Sequence, residues 1–170
     1  MKRPQQDDVP PYFRQYTDLV PDGDVLGLLE TQIEETLSLF SGLSDEAARA
    51  RYEEGKWSVK EVLGHLIDSE RIFALRALWF ARGDPTPQPG FDQDDYMKTA
   101  GYNDRPLPEI VEEMRLLRAS NLATFRGFSS EAWDRKGLAN DVPFRTNAVP
   151  WILAGHELHH RAVLLERYGL

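Results

Sequence analysis

The sequence predicts an all-α fold: a four-helix bundle with one long crossover between the second and third helices. Three observations lead there. Four long segments carry apolar residues three or four apart, the period of a helix buried on one face. No segment sustains the alternating pattern of a strand. Ser, Pro and Gly stand at the ends of these segments, where helices are capped and stopped.

The elements follow in chain order. Residues 1–22 hold prolines at positions 4, 10, 11 and 21 and are expected to form an irregular arm, lying across the domain through Tyr12, Phe13 and Tyr16. Residues 23–170 are expected to form the single bundle domain. Its first helix spans about 24–40, with Val25, Leu28, Leu29, Ile33, Leu37 and Phe40 on one face and Gly42 closing it. Ser44 caps a short helical segment that follows.

The second helix has the clearest start. Ser58-Val59-Lys60-Glu61 is a capping box, in which serine and glutamate satisfy each other's free backbone N–H. The helix continues to about Arg82 and is stopped by Gly83-Asp84-Pro85. Its inward face should include Val62, His65, Leu66, Ser69, Phe73 and either Leu75 or Arg76. Residues 84–105, rich in Pro, Gly and Asp, read as a long irregular crossover. The third helix runs from about Pro108 to Arg126, with Ile110, Met114, Leu117 and Leu122 or Asn121 facing inward. A single turn at 130–133 and a small hairpin up to Arg145 are expected next. The last helix runs from about Asn147 to Tyr168, with Pro150 in its first turn and Gly169 at its end.

Composition bounds the function. At 170 residues with 41% hydrophobic content, the chain can bury a proper core. A net charge of −8 argues against general binding to nucleic acid, whose phosphates need a basic face. The absence of cysteine removes disulfides, zinc–thiolate sites and cysteine nucleophiles, and fits a cytoplasmic location. The most apolar run, 72–80, is too short to cross a membrane and contains Arg76. No stretch near the N-terminus resembles a signal peptide.

Chemistry concentrates in the histidines. Three of the four lie in Gly155-His156-Glu157-Leu158-His159-His160-Arg161, and the fourth is His65. His156 and His160 are four apart, one turn above each other on one helix face. If that stripe faces the one containing His65, three imidazoles meet in the bundle core. Such a set suits a divalent ion and leaves a coordination position open, as catalytic sites do. The plainer reading is a set of surface or hydrogen-bonded core histidines, and spacing alone does not separate the two. His159 is offset by about 100° from its neighbour and should point elsewhere.

The run also matches H-E-x-x-H, in which Glu157 would be the general base of a zinc peptidase. Against that, only ten residues follow His160, and no sheet is predicted to edge a substrate cleft. Glu157 stays a weak candidate base, and a solvated helix residue is its plainer reading.

Trp57-Ser58-Val59-Lys60-Glu61-Val62-Leu63-Gly64-His65-Leu66-Ile67-Asp68-Ser69-Glu70, followed some ninety residues later by the His156–His160 motif, resembles the DinB-like, or YfiT-like, superfamily of metal-binding four-helix bundles. The resemblance covers roughly residues 23–170. It implies that His65, His156 and His160 ligate a divalent metal, zinc or nickel foremost, and that the protein is a homodimer. It also implies an enzyme acting on a small-molecule electrophile, by hydrolysis or by transfer of a low-molecular-weight thiol such as bacillithiol, mycothiol or glutathione. A non-catalytic metal-binding stress-response bundle is the alternative from another class. Asp68, Asp92, Asp94, Asp95, Tyr96 and Arg161 are polar groups within reach of a substrate pocket, though each reads first as solvated. Trp57, Trp79, Trp133 and Trp151 read as core or dimer-interface residues.

Overall fold

The computed structural model describes residues 1–170 and contains four long helices: α2 (Val25–Ser38), α3 (Val59–Arg82), α5 (Leu107–Arg126) and α7 (Ala148–Tyr168). Shorter elements are α1 (Arg14–Thr17), α4 (Gln93–Thr99) and α6 (Ser130–Asp134). A two-stranded antiparallel hairpin, β1 (Lys136–Ala139) and β2 (Val142–Arg145), precedes the last helix. The predicted bundle and hairpin are therefore present, with helix ends within two residues of expectation. Two segments depart from it. Residues 1–22, expected irregular, carry 3₁₀ turns at Gln6–Asp8 and Pro11–Phe13 and run directly into α1. The crossover, also expected irregular, contains α4 because Asp92 Oδ1 accepts from the N–H groups of Asp94 and Asp95 and caps it.

Side-chain pairings give the helix directions. Glu30 meets Arg126 and Glu34 meets Arg115, so α2 and α5 are antiparallel. Lys60 meets the Arg105 carbonyl, Arg71 meets Glu113, and Glu70 meets Arg118, so α3 and α5 run parallel. A parallel pair forces the chain to travel the length of the bundle between them, which is why the 84–105 crossover is long.

The crossover is tied down where it lands. Ser58 and Glu61 form the expected capping box, with Ser58 N–H donating to Glu61 Oε2 at 2.6 Å. Asn103 then bonds to both partners: its Oδ1 accepts from Ser58 Oγ and its Nδ2 donates to Glu61 Oε1. Tyr102 lies against Gly64, where a Cβ would come within 2.1 Å of the tyrosine ring, and its hydroxyl donates to Asp68 at 2.8 Å. Lys60 is fully buried, bonded to Asp45 and to the Arg105 carbonyl.

The interior divides into two apolar clusters. One contains Leu29, Phe73, Phe80, Phe125, Trp151 and Ile152; the other contains Ile33, Leu63, Ile67, Ile110, Met114 and Leu164. A buried polar layer separates them: Gln32 on α2, Ser69 and Glu70 on α3, Arg118 on α5, and His156 and Glu157 on α7. Arg118 was not expected among the inward residues of α5. It donates from Nε and Nη2 to both oxygens of Glu70 at 2.8 and 2.7 Å, from Nη2 to Glu157 at 2.7 Å, and from Nη1 to the Leu29 carbonyl at 2.8 Å. Burial would depress the guanidinium's pKa, but the two carboxylates override it and raise it.

Removing Arg118 would leave two carboxylates in the interior without a cation. Arg118→Ala is expected to lower the unfolding free energy by about 3–5 kcal/mol, read by urea denaturation. A loss similar to that of an exposed arginine variant such as Arg126→Ala would show the layer to be energetically idle.

Candidate metal centre

His65 sits on the second turn of α3, and His156 and His160 on successive turns of α7. The antiparallel approach of these helices brings the three rings to one point, so the two stripes, whose facing the sequence left open, do face each other. His65 Nε2 lies 3.0 Å from His156 Nε2, which lies 3.1 Å from His160 Nε2. One ligand atom from each residue falls within 4.8 Å of the others. His65 and His156 are buried, and His160 is partly so.

Burial disfavours the charged imidazolium. It pushes His65 down to about 4, and it holds His156 and His160 well below the ordinary histidine value, with the neighbouring imidazoles adding to the effect. Three neutral imidazoles at one point cannot satisfy each other. The single in-plane site of His156 Nε2 either donates or accepts once, so it can pair with one neighbour and not both. A divalent ion accepting all three lone pairs resolves that conflict. Zinc–nitrogen bonds of about 2.0–2.1 Å in a tetrahedral shell would place the nitrogens about 3.3 Å apart, close to the His65–His156 and His156–His160 separations. The donor set therefore fits a divalent cation with an open position.

Neighbouring rings hold the histidines in place. Trp57 lies 4.8 Å from the His65 ring, and Ser69 Oγ is 3.5 Å from His65 Nδ1. Tyr16 meets His156 edge-on at 5.2 Å and half-buried His159 at 5.4 Å. Tyr16 reaches this place because α1 packs directly on α7 at Gly155, where a Cβ would lie 1.9 Å from the Tyr16 carbonyl oxygen. The tyrosine signal was present in the sequence, but only the close approach at Gly155 explains its role.

Two cavities flank the centre. The first, about 460 Å³, reaches His65 and His156 and is walled by aromatic residues including Phe13, Phe73, Phe91 and Phe144. The second, about 560 Å³, reaches His160, Trp57 and Tyr168. Gln93 and Asp94 of α4 border both. Trp57 is thus a wall of the site rather than a core residue, while Trp151 is buried in the core.

The expectation for Glu157 is corrected. Glu157 is not solvated: it is 1% exposed, bonded to Arg118, and borders neither of these cavities. Its carboxylate belongs to the polar layer and is not presented to the substrate side as a peptidase base would be. Arg161 pairs with Glu35. Asp68 is half-buried under Tyr102, Asp92 is the α4 cap, and Asp95 and Tyr96 are exposed. At the 75/76 ambiguity the structure selects Arg76, which is 4% exposed against 48% for Leu75.

Gly155→Ala should push the N-terminal segment off α7 and cost about 1–3 kcal/mol, as overpacking does. Limited proteolysis would then cut within residues 1–20 faster than in the parent. Gly27→Ala, where only the flexible Asp24 side chain is near, should be neutral or stabilising.

The DinB superfamily model matches residues 28–164. A proposed metal-dependent hydrolase of Geobacillus kaustophilus is 30% identical over 127 residues, covering 72% of this chain and 70% of its own. A similarly described protein of Geobacillus thermodenitrificans is 31% identical over 67 residues, covering 39% of this chain and 38% of its own. Among solved structures, YfiT from Bacillus subtilis, described as a proposed metal-dependent hydrolase with an unusual four-helix bundle topology, aligns with a TM-score of 0.66 at 15% identity. That alignment covers 99% of this chain and 94% of YfiT. A mycothiol-dependent maleylpyruvate isomerase aligns with a TM-score of 0.70 at 14% identity, covering 87% of this chain and 62% of the isomerase. At such identities the two structures speak to the fold. No helix here is long and apolar enough to cross a membrane.

Proposed function

This chain belongs to the DinB superfamily, a family with metal-dependent members, and we propose that it is a metal-dependent enzyme whose ion is held by His65, His156 and His160. The observation that carries this reading is the convergence of three neutral Nε2 atoms beside a cavity large enough for a small molecule. A bound divalent ion lowers the pKa of a coordinated thiol or water, making it a nucleophile at neutral pH.

The chain's own residues supply the rest. Trp57, Ser69 and Tyr16 hold the imidazole rings in orientation. The aromatic walls of the first cavity take the apolar body of the electrophile and exclude water from it. The second cavity approaches the same centre from the His160 side. Two cavities meeting over one centre favour a reaction with two organic partners, thiol transfer, over hydrolysis, which needs room for one organic substrate and a water. A non-catalytic metal-binding bundle would have no use for either cavity. The peptidase reading is disfavoured by the engagement of Glu157 with Arg118.

Tag-free protein is expected to carry about one divalent ion per chain by elemental analysis, and His65→Ala to lose it. Equal metal content in the variant would overturn the ligand assignment. Turnover of a chromogenic electrophile should require an added thiol from the bacillithiol, mycothiol and glutathione set, and should vanish with the ion. Turnover in water alone would assign a hydrolase.

A further inference from the structure

The first cavity contains a cation without a counter-ion. Arg76 projects from α3 three turns beyond His65, is 4% exposed, and lines the cavity together with His65 and His156. Its guanidinium makes one hydrogen bond, from Nη2 to the Pro89 carbonyl at 2.7 Å. Its Nε is buried without a partner. No carboxylate pairs with it, in contrast to Arg118, whose charge meets two. The ring centroids of Phe73 and Phe91 lie 5.2 and 5.9 Å from the guanidinium carbon. The cavity's aspartates do not neutralise it: Asp92 is committed to capping α4, and Asp92 and Asp94 are both exposed.

A buried guanidinium is costly unless a partner supplies the missing charge and acceptors. Its planar fork suits a carboxylate, which can take two parallel N–H bonds. The surrounding aromatic wall suits an apolar body of modest size. We propose that the substrate of this cavity is a small aromatic or otherwise apolar molecule bearing one carboxylate, and that Arg76 is the residue that binds the carboxylate and so fixes which end faces the histidines. The inference rests on the reading of this cavity as the substrate site of the metal centre, and it concerns recognition rather than the reaction.

Binding of benzoate, phenylacetate and 3-phenylpropionate should be compared with that of their primary amides, by calorimetry at pH 8, on the full chain as purified and after removal of metal. At least one acid should bind about tenfold more tightly than its amide in both preparations. Arg76→Met should erase the preference, and Arg76→Lys should keep part of it, with far-ultraviolet circular dichroism showing both variants folded. Equal binding of every acid and amide, failure of all to bind, or a preference that survives Arg76→Met would overturn the assignment. A preference present only with metal and indifferent to Arg76 would place the carboxylate on the ion and also overturn it. Elemental analysis of His65→Ala tests the metal reading separately, so either idea can fail without the other.

Discussion

Arg118 holds the bundle in register. From the third long helix it reaches the Leu29 carbonyl on α2, Glu70 on α3 and Glu157 on α7, so one side chain is bonded to every other long helix. Four donated bonds from one buried guanidinium can form only at one rotation and one height of those helices. The network is not self-sufficient: Glu157 Oε1 has no partner, and one cation faces two carboxylates. Ion groups of this kind contribute little net stability compared with apolar packing. Their consequence here is specificity of arrangement. With Glu157 turned to α5, its neighbour His156 and the next-turn His160 are turned to α3, where His65 waits.

The same polar layer thus has two halves with opposite accounts. On the Arg118 side, two carboxylates share one cation and are closed off from the two cavities beside the histidines. On the histidine side, three neutral imidazoles face one another beside a cavity, and their converging nitrogens cannot all be paired with each other. The N-terminal segment and the crossover complete that second side. The N-terminal segment lays Tyr16 on α7 through Gly155, and the crossover carries α4 and Phe91 over the mouth and is anchored by Asn103 on the capping box of α3. Both segments are long because they span packed elements, and both bring site residues as well as core residues such as Val9, Val20, Met97 and Tyr102.

Much of this was legible in the residues. The capping box at Ser58–Glu61, the glycine stops at Gly83 and Gly169, and the apolar stripes located the long helices. The i, i+4 pair at His156 and His160, with His65 on an inward stripe, marked the candidate residues of the centre. What escaped was most of the buried charge. Arg118, Lys60 and Glu157 look like solvated helix residues because their type is most often exposed. Periodicity registers only whether a position is apolar, and a buried arginine breaks the stripe instead of announcing itself. Arg76 was a candidate for the interior only as an alternative to Leu75, and nothing in the local sequence decides between adjacent positions 100° apart. Glu157 was misplaced for a related reason: the H-E-x-x-H pattern fixes spacing along one helix, not what packs on each face.

The sequence by itself determined the helical class, the limits of the long helices and the histidines that share a face, because those follow from local periodicity and capping within a few residues. The tertiary structure alone decided that the three imidazoles meet, that Glu157 turns away from them, and that Arg76 lies uncompensated beside them. The first two of those outcomes depend on contacts between segments about forty to ninety residues apart, such as Arg118 with Glu157 and His65 with His156. The His156–His160 run is therefore two parts of a centre completed from α3, and the glutamate between them serves the bundle.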